Sequence, residues 1–152
     1  GLLNMQTAKQ LDNDLPSFNY TVAAVEQRVG QRSNIAFMGV NKQAIDANDF
    51  SSSFNKYNRV AGLEYRLASP DNRWIGKTNY FQAITPSEAE DKFTHFTQLV
   101  YNRRRYRIEW AHLYVGAGYD AEVGFVPRKD ILLVSPEATL NFYPKKRITK
   151  RT

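Results

Sequence analysis

Two carboxylates in this chain stand inside charged alternations: Glu64 two residues before Arg66, and Glu109 two residues after Arg107. A pair of acids at a set separation is the equipment of glycoside cleavage, one serving as acid and the other as base or nucleophile. In an extended segment, residues two apart share a face, so each acid has a guanidinium of its own to pair with. Structural ion pairs are the simpler account, and no catalytic residue is assigned. His95 and His112 are the only histidines, and neither has zinc-ligand spacing. With cysteine absent there is also no thiolate site and no disulfide framework. No nucleophile elbow, phosphate loop or dinucleotide fingerprint occurs, so neither a metal nor a cofactor is expected. Trp74 and Trp110 have the chemistry to stack on sugar rings, but lone tryptophans near strand ends suit a membrane interface better.

The elements that must position these groups are strands. Eight segments read as extended chain: 1–7, 18–29, 34–43, 57–68, 74–83, 93–101, 106–115 and 131–143. Their connections alternate long and short: 8–17, 30–33, 44–56, 69–73, 84–92, 102–105 and 116–130. Outer-membrane barrels are built this way, with short turns at one rim and long loops at the other. The expected fold is therefore all-β: an antiparallel up-and-down meander of about eight strands, part of a transmembrane β-barrel or a small one by itself. Period-two alternation supports it. Leu63, Tyr65 and Leu67 oppose Glu64 and Arg66; Tyr106, Ile108, Trp110 and Tyr114 oppose Arg107 and Glu109; Leu140 and Phe142 oppose Thr139 and Asn141. In the second segment Phe18, Tyr20 and Val22 oppose Asn19, Thr21 and Ala23. Residues 35–40 are apolar on both faces, as small residues set against a plug would be.

The sixth segment has a helical competitor, since Ser87-Glu88-Ala89-Glu90 followed by Phe93, Phe96 and Val100 has the form of a capped amphipathic helix. Thr94, Phe96, Thr97, Val100 and Tyr101 favour the strand. Turn chemistry supports the short links: Ser69-Pro70-Asp71-Asn72 presets a reversal, and Gly30 tolerates a tight one. Pro136 and Pro144 are placed at strand ends, where a missing N–H costs least.

At 152 residues with 42% hydrophobic and 13% aromatic composition, one core and one domain are expected. Mean hydropathy is -0.55, and no run approaches the length of an apolar membrane helix. Barrel strands would not raise it, because only alternate residues face lipid. The net charge of +6 raises the question of a nucleic-acid partner. Its placement answers no. Arg32, Arg73, Arg103-Arg104-Arg105 and Lys145-Lys146-Arg147 fall at short turns, whereas Asp12, Asp14, Asp46, Asp49, Glu88, Glu90 and Asp91 gather in long loops. Two rims of opposite sign result. Gly1-Leu2-Leu3-Asn4 enters mid-pattern, and a basic stretch follows the last strand. Residues 1–152 are thus expected to be a single barrel segment of a longer chain.

One stretch is more specific. Tyr119-Asp120-Ala121-Glu122-Val123-Gly124-Phe125-Val126-Pro127-Arg128 follows the strand Arg107-Ile108-Glu109-Trp110 and resembles the "pEVGFVPR" signature of a family of Bacteroidetes outer-membrane proteins. In that family a family-9-type carbohydrate-binding domain precedes a C-terminal barrel of unknown function. Gly1-Leu2-Leu3-Asn4-Met5-Gln6-Thr7, Asn19-Tyr20-Thr21-Val22, Arg32-Ser33-Asn34-Ile35 and Asn58-Arg59-Val60-Ala61-Gly62-Leu63-Glu64 are similar to further family segments, with Glu64 a mild departure. The resemblance spans essentially the whole chain and implies an internal fragment of that barrel in the bacterial outer membrane. It implies membrane lipid as a partner, carbohydrate through a domain absent here, and other outer-membrane proteins. The family has no established catalytic residues to carry over.

Three groups of residues follow from these readings. Glu64, Arg66, Arg107 and Glu109 would form a charge network lining the lumen. Gly124, Phe125, Val126, Pro127 and Arg128 would form a packed loop, either capping a rim or folding inward as a plug, with Arg128 placed to pair with Glu64 or Glu109. Tyr65, Trp74, Tyr106, Trp110 and Phe142 would face lipid or its interface. The leading expectation is an integral outer-membrane segment with a transport, receptor or anchoring role linked to carbohydrate binding. A glycan-active hydrolase barrel and a soluble β-barrel or sandwich binding module are the alternatives.

Overall fold

The computed structural model describes residues 1–45, 55–124 and 126–143. Asp46, Asp49, the serines at 51–53, Phe125, Pro144 and the basic stretch from Lys145 lie outside the described residues. The rest is one antiparallel sheet of eight strands in sequence order: β1 Leu2–Gln6, β2 Phe18–Val29, β3 Ser33–Ala44, β4 Tyr57–Ala68, β5 Trp74–Ile84, β6 Phe93–Asn102, β7 Tyr106–Val115 and β8 Ile131–Leu140. Each strand pairs with its neighbour in the chain, and β1 and β8 are open edges. The only helical element described is a 3-10 turn at Leu11–Asn13. No helix among the described residues is long and apolar enough to cross a membrane.

Residues 93–102 are strand, not helix. Alternation gives them two usable faces, and β5 and β7 supply the backbone partners a helix would forgo, with Asn79 opposite Phe96 and Phe96 opposite Leu113. The tight links form from local chemistry. Gly30 takes a left-handed conformation (φ 65°). In the next link Asp71 accepts from the Ser69 hydroxyl (2.7 Å) and the Arg73 amide (3.1 Å), while Ser69 Oγ accepts from the Trp74 amide (2.9 Å). Those bonds hold the Asp71 carboxyl below its usual range, the Ser69 hydroxyl contributing most.

Two expectations need correction. Pro136 lies inside β8, opposite Trp110, rather than at a strand end. It is tolerated because β8 is an edge, with only β7 to satisfy. The eighth strand also stops at Leu140, leaving Phe142 beyond it and 85% exposed.

The register sorts side chains into two faces. One face carries Leu63, Tyr65, Trp74, Tyr106, Ile108 and Trp110, and most of its large apolar residues are exposed. We call it the outer face. The opposite, inner face carries Glu64, Arg66, Lys77, Glu109 and Arg107 toward the short turns. Toward the long loops this inner face turns apolar, with Val40, Val60, Phe81, Leu113 and Val115. Phe18, Tyr20 and Val22 share it, since Phe18 pairs with Ala44 and Val22 with Val40. The buried cluster at this end is small: Val60, Ala83, Val115 and Tyr119, with the last supplied by the loop after β7.

Candidate functional site

The site is where the loop at 116–130 lies against the inner face. Its first turn is brought close by two glycines. A Cβ on Gly116 would collide with the backbone carbonyl of Asp91, and one on Gly118 with that of Glu90. Tyr119 then enters the apolar layer and is 7% exposed. Burial pushes its phenol above the ordinary value.

Polar ties hold the segment that follows. Asn58, wholly buried, donates its side-chain amide to the Asp120 carbonyl at 2.9 Å. Glu122 pairs with Lys42 and accepts from Asn55 Nδ2 at 2.6 Å. Lys42 also stands 4.2 Å from the centroid of the Phe18 ring, which shields the pair from water on that side. Lys129 pairs with Asp120 at 3.2 Å. These contacts seat the loop across the apolar half of the inner face and leave between them a half-open cavity of about 400 Å³. Met38 and Val40, two inner-face members of the apolar run at 35–40, are on its sheet side, while Ile35 and Phe37 are exposed on the outer face. Val126, Pro127 and Arg128 are on its loop side.

The charged half of the inner face is self-contained. Glu64 accepts from Arg66 Nε (2.6 Å) and from Lys77 (2.8 Å). Glu109 pairs with Arg107 (2.5 Å) and accepts from Gln98, while Arg107 also reaches Glu137 (3.7 Å). Sequence spacing does not single out Lys77, Gln98 and Glu137: strand register sets Lys77 opposite Arg66 and Glu137 opposite Glu109, and Gln98 reaches Glu109 diagonally from β6. The network expected of Glu64, Arg66, Arg107 and Glu109 is thus two clusters. Arg128 joins neither, contrary to the expected pairing, and it makes no ion pair with a described residue; each acid is already satisfied by neighbours on its own part of the sheet. Nor do the acids form a glycosidase pair. Glu64 and Glu109 lie three strand spacings apart, about 14 Å across the sheet, and out of line by four residues, about 13 Å along the strands, against the roughly 5–10 Å that glycoside cleavage needs.

The outer face carries two rows of rings. Trp74, Tyr101 and Tyr106 form one near the short turns, with centroids 4.6 and 6.0 Å apart. Tyr80, Phe93 and Tyr114 form the other, at 5.5 and 5.0 Å. Phe93 opens β6 and Tyr101 is its last residue but one, about 26 Å apart at 3.3 Å per residue. Between the rows lies a polar cluster that the sequence did not announce. Trp110 Nε1 donates to His112 Nδ1 (3.1 Å); an indole nitrogen only donates, so the hydrogen of His112 sits on Nε2, facing His95 Nδ1 at 3.1 Å. His95 Nε2 in turn donates to Thr97 Oγ1 (3.2 Å), whose hydroxyl shares a 2.7 Å bond with that of Thr78. The cluster satisfies itself. No group of three or more metal-ligating side chains occurs among the described residues.

No protein-family model matches this sequence, and no curated protein and no solved structure is found to be similar to it.

Proposed function

We propose that this chain is a section of an outer-membrane β-barrel, with the loop at 116–130 as an inward plug. One observation carries the reading: a sheet whose outer face exposes large apolar side chains between two ring rows, while its inner face carries ion pairs. In a water-soluble sheet so extended an apolar face would need a cover. A bilayer supplies one, since an outward band about 25 Å tall flanked by aromatic girdles is how such barrels meet lipid. At a strand tilt of about 40° the separation between the ring rows is roughly 20 Å in height, a close fit to that band. The internally bonded His95–His112–Thr97–Thr78 cluster is the form in which polar atoms are tolerable there.

The role that fits is transport, reception or anchoring in the bacterial outer membrane, linked to carbohydrate binding through a neighbouring domain, as the resemblance to the Bacteroidetes family implies. Lipid is the proposed partner of the outer face. Strands that continue the sheet, from this polypeptide or from another outer-membrane protein, would pair with the open edges of β1 and β8. The test is refolding with and without detergent or phosphatidylcholine vesicles. The reading expects monodisperse, β-rich protein only with amphiphile. A chain that stays monodisperse in buffer and binds no vesicle would return it to the soluble β-module reading.

A further inference from the structure

We propose that the cavity beneath the loop takes a single-chain amphiphile with an anionic headgroup, a fatty-acid-like carboxylate, whose charge is met by Arg128. The proposal rests on the barrel-and-plug reading and names the ligand class of that site. At about 400 Å³ the cavity falls in the range of small-molecule sites, roughly 300–1,000 Å³. Its sheet wall is hydrocarbon, from Val60, Phe81, Phe96 and Leu113, and Val123 and Val126 face them from the loop. A lumen that only passed water and ions would have no use for such a wall. A sugar would leave most of its hydroxyls unpaired against it, at a cost of kilocalories each, whereas an alkyl chain loses nothing polar.

Polar groups on the wall are few: Asn79, Thr94, the Tyr119 hydroxyl and Arg128, of which only Arg128 is charged. Of the charges on the loop, Glu122 is matched by Lys42 and Lys129 by Asp120. Arg128 has no such partner among the described residues, although it stands on the cavity wall. A planar guanidinium beside an apolar slot is the donor set for a carboxylate at the end of a chain. Gly62 lets the Phe81 ring of that wall lie close against β4, since any Cβ there would strike both the Tyr80 carbonyl and the ring.

The experiment uses the full chain in phosphatidylcholine nanodiscs and a diazirine-bearing dodecanoate, with cross-links mapped by peptide mass spectrometry. The expected result is labelling at Phe81, Phe96 and Leu113 that unlabelled dodecanoate displaces about tenfold better than dodecanol. Arg128→Gln, an exposed position whose change leaves the fold intact, should bring dodecanoate down to the level of dodecanol, and Leu113→Trp should fill the slot and abolish the labelling. Labelling confined to Leu63 and Ile108 would overturn the cavity proposal while leaving the barrel reading intact. Labelling of the cavity without Leu63 or Ile108 would overturn the barrel reading and leave the cavity. Cavity labelling insensitive to Arg128→Gln would overturn the assignment of an anionic headgroup.

Discussion

Asn58 in β4 and Asp120 in the loop after β7 are joined by a 2.9 Å hydrogen bond that spans 62 residues of sequence. It is made by a wholly buried side chain to a backbone carbonyl, so it cannot be replaced by water without moving the loop.

Asn58→Ala should therefore release the loop before it unfolds the sheet. Loss of this bond, made by a buried amide to a part-buried carbonyl, costs about 1–3 kcal/mol. Hydrogen exchange at the amides of Tyr119 and Gly124, which bond to Gly116 O and Ala121 O, should accelerate, and trypsin should cut faster after Arg128. Unchanged protection at both amides would show that the loop is held elsewhere.

Raising the pH should detach the same loop. Burial favours the protonated Tyr119, so its folded pKa lies above the unfolded one. Its contribution is complete below the unfolded value of about 10 and declines as pH rises from there through the folded value. Tyr119→Phe should move the alkaline release upward, read by loop proteolysis between neutral and strongly alkaline pH.

The outer and inner faces should respond oppositely to charge. Leu63→Arg places a cation in the middle of the apolar face and should cost about 2–4 kcal/mol when the protein is unfolded from vesicles. Thr139→Arg, on the inner face of β8 beside Arg107, should cost less than about 1 kcal/mol. Equal costs for the two substitutions would contradict a lipid-facing outer surface.

His112→Leu strands two partners at once, the Trp110 indole N–H and His95 Nδ1, at about 1–3 kcal/mol. The double variant His95→Leu/His112→Leu should cost less than the sum of the single changes, with a coupling of about 0.5–3 kcal/mol in a double-mutant cycle. Additive costs would mean that the rings do not form one network.

Glu64→Gln should be mild, since Arg66 and Lys77 have side chains 60% and 40% exposed and water screens what the lost charge held. A change below about 1 kcal/mol is expected in a denaturant titration, shrinking further with added salt.

Which of these features could be read along the chain follows from the range of the forces involved. The strands were legible because alternation such as Leu63-Glu64-Tyr65-Arg66 is local, and the turns because Ser69, Asp71 and Gly30 act within a few residues. Ion pairs two residues apart, Glu64 with Arg66 and Arg107 with Glu109, were legible for the same reason. The pairing of Arg128 with these acids fails, because nothing in a spacing says that Lys77 and Gln98 on neighbouring strands already bond to them.

By itself the order of residues determined an all-β meander with sorted loops and two-sided strands, since pleat geometry and turn stereochemistry need no distant partner. Only the tertiary structure decided that the inner face is charged at one end and apolar at the other, that Tyr119 leaves its loop to complete the core, and that His95 meets His112. Those outcomes depend on register between strands and on one loop folding back across the sheet. Such contacts form when side chains far apart in sequence exclude water together.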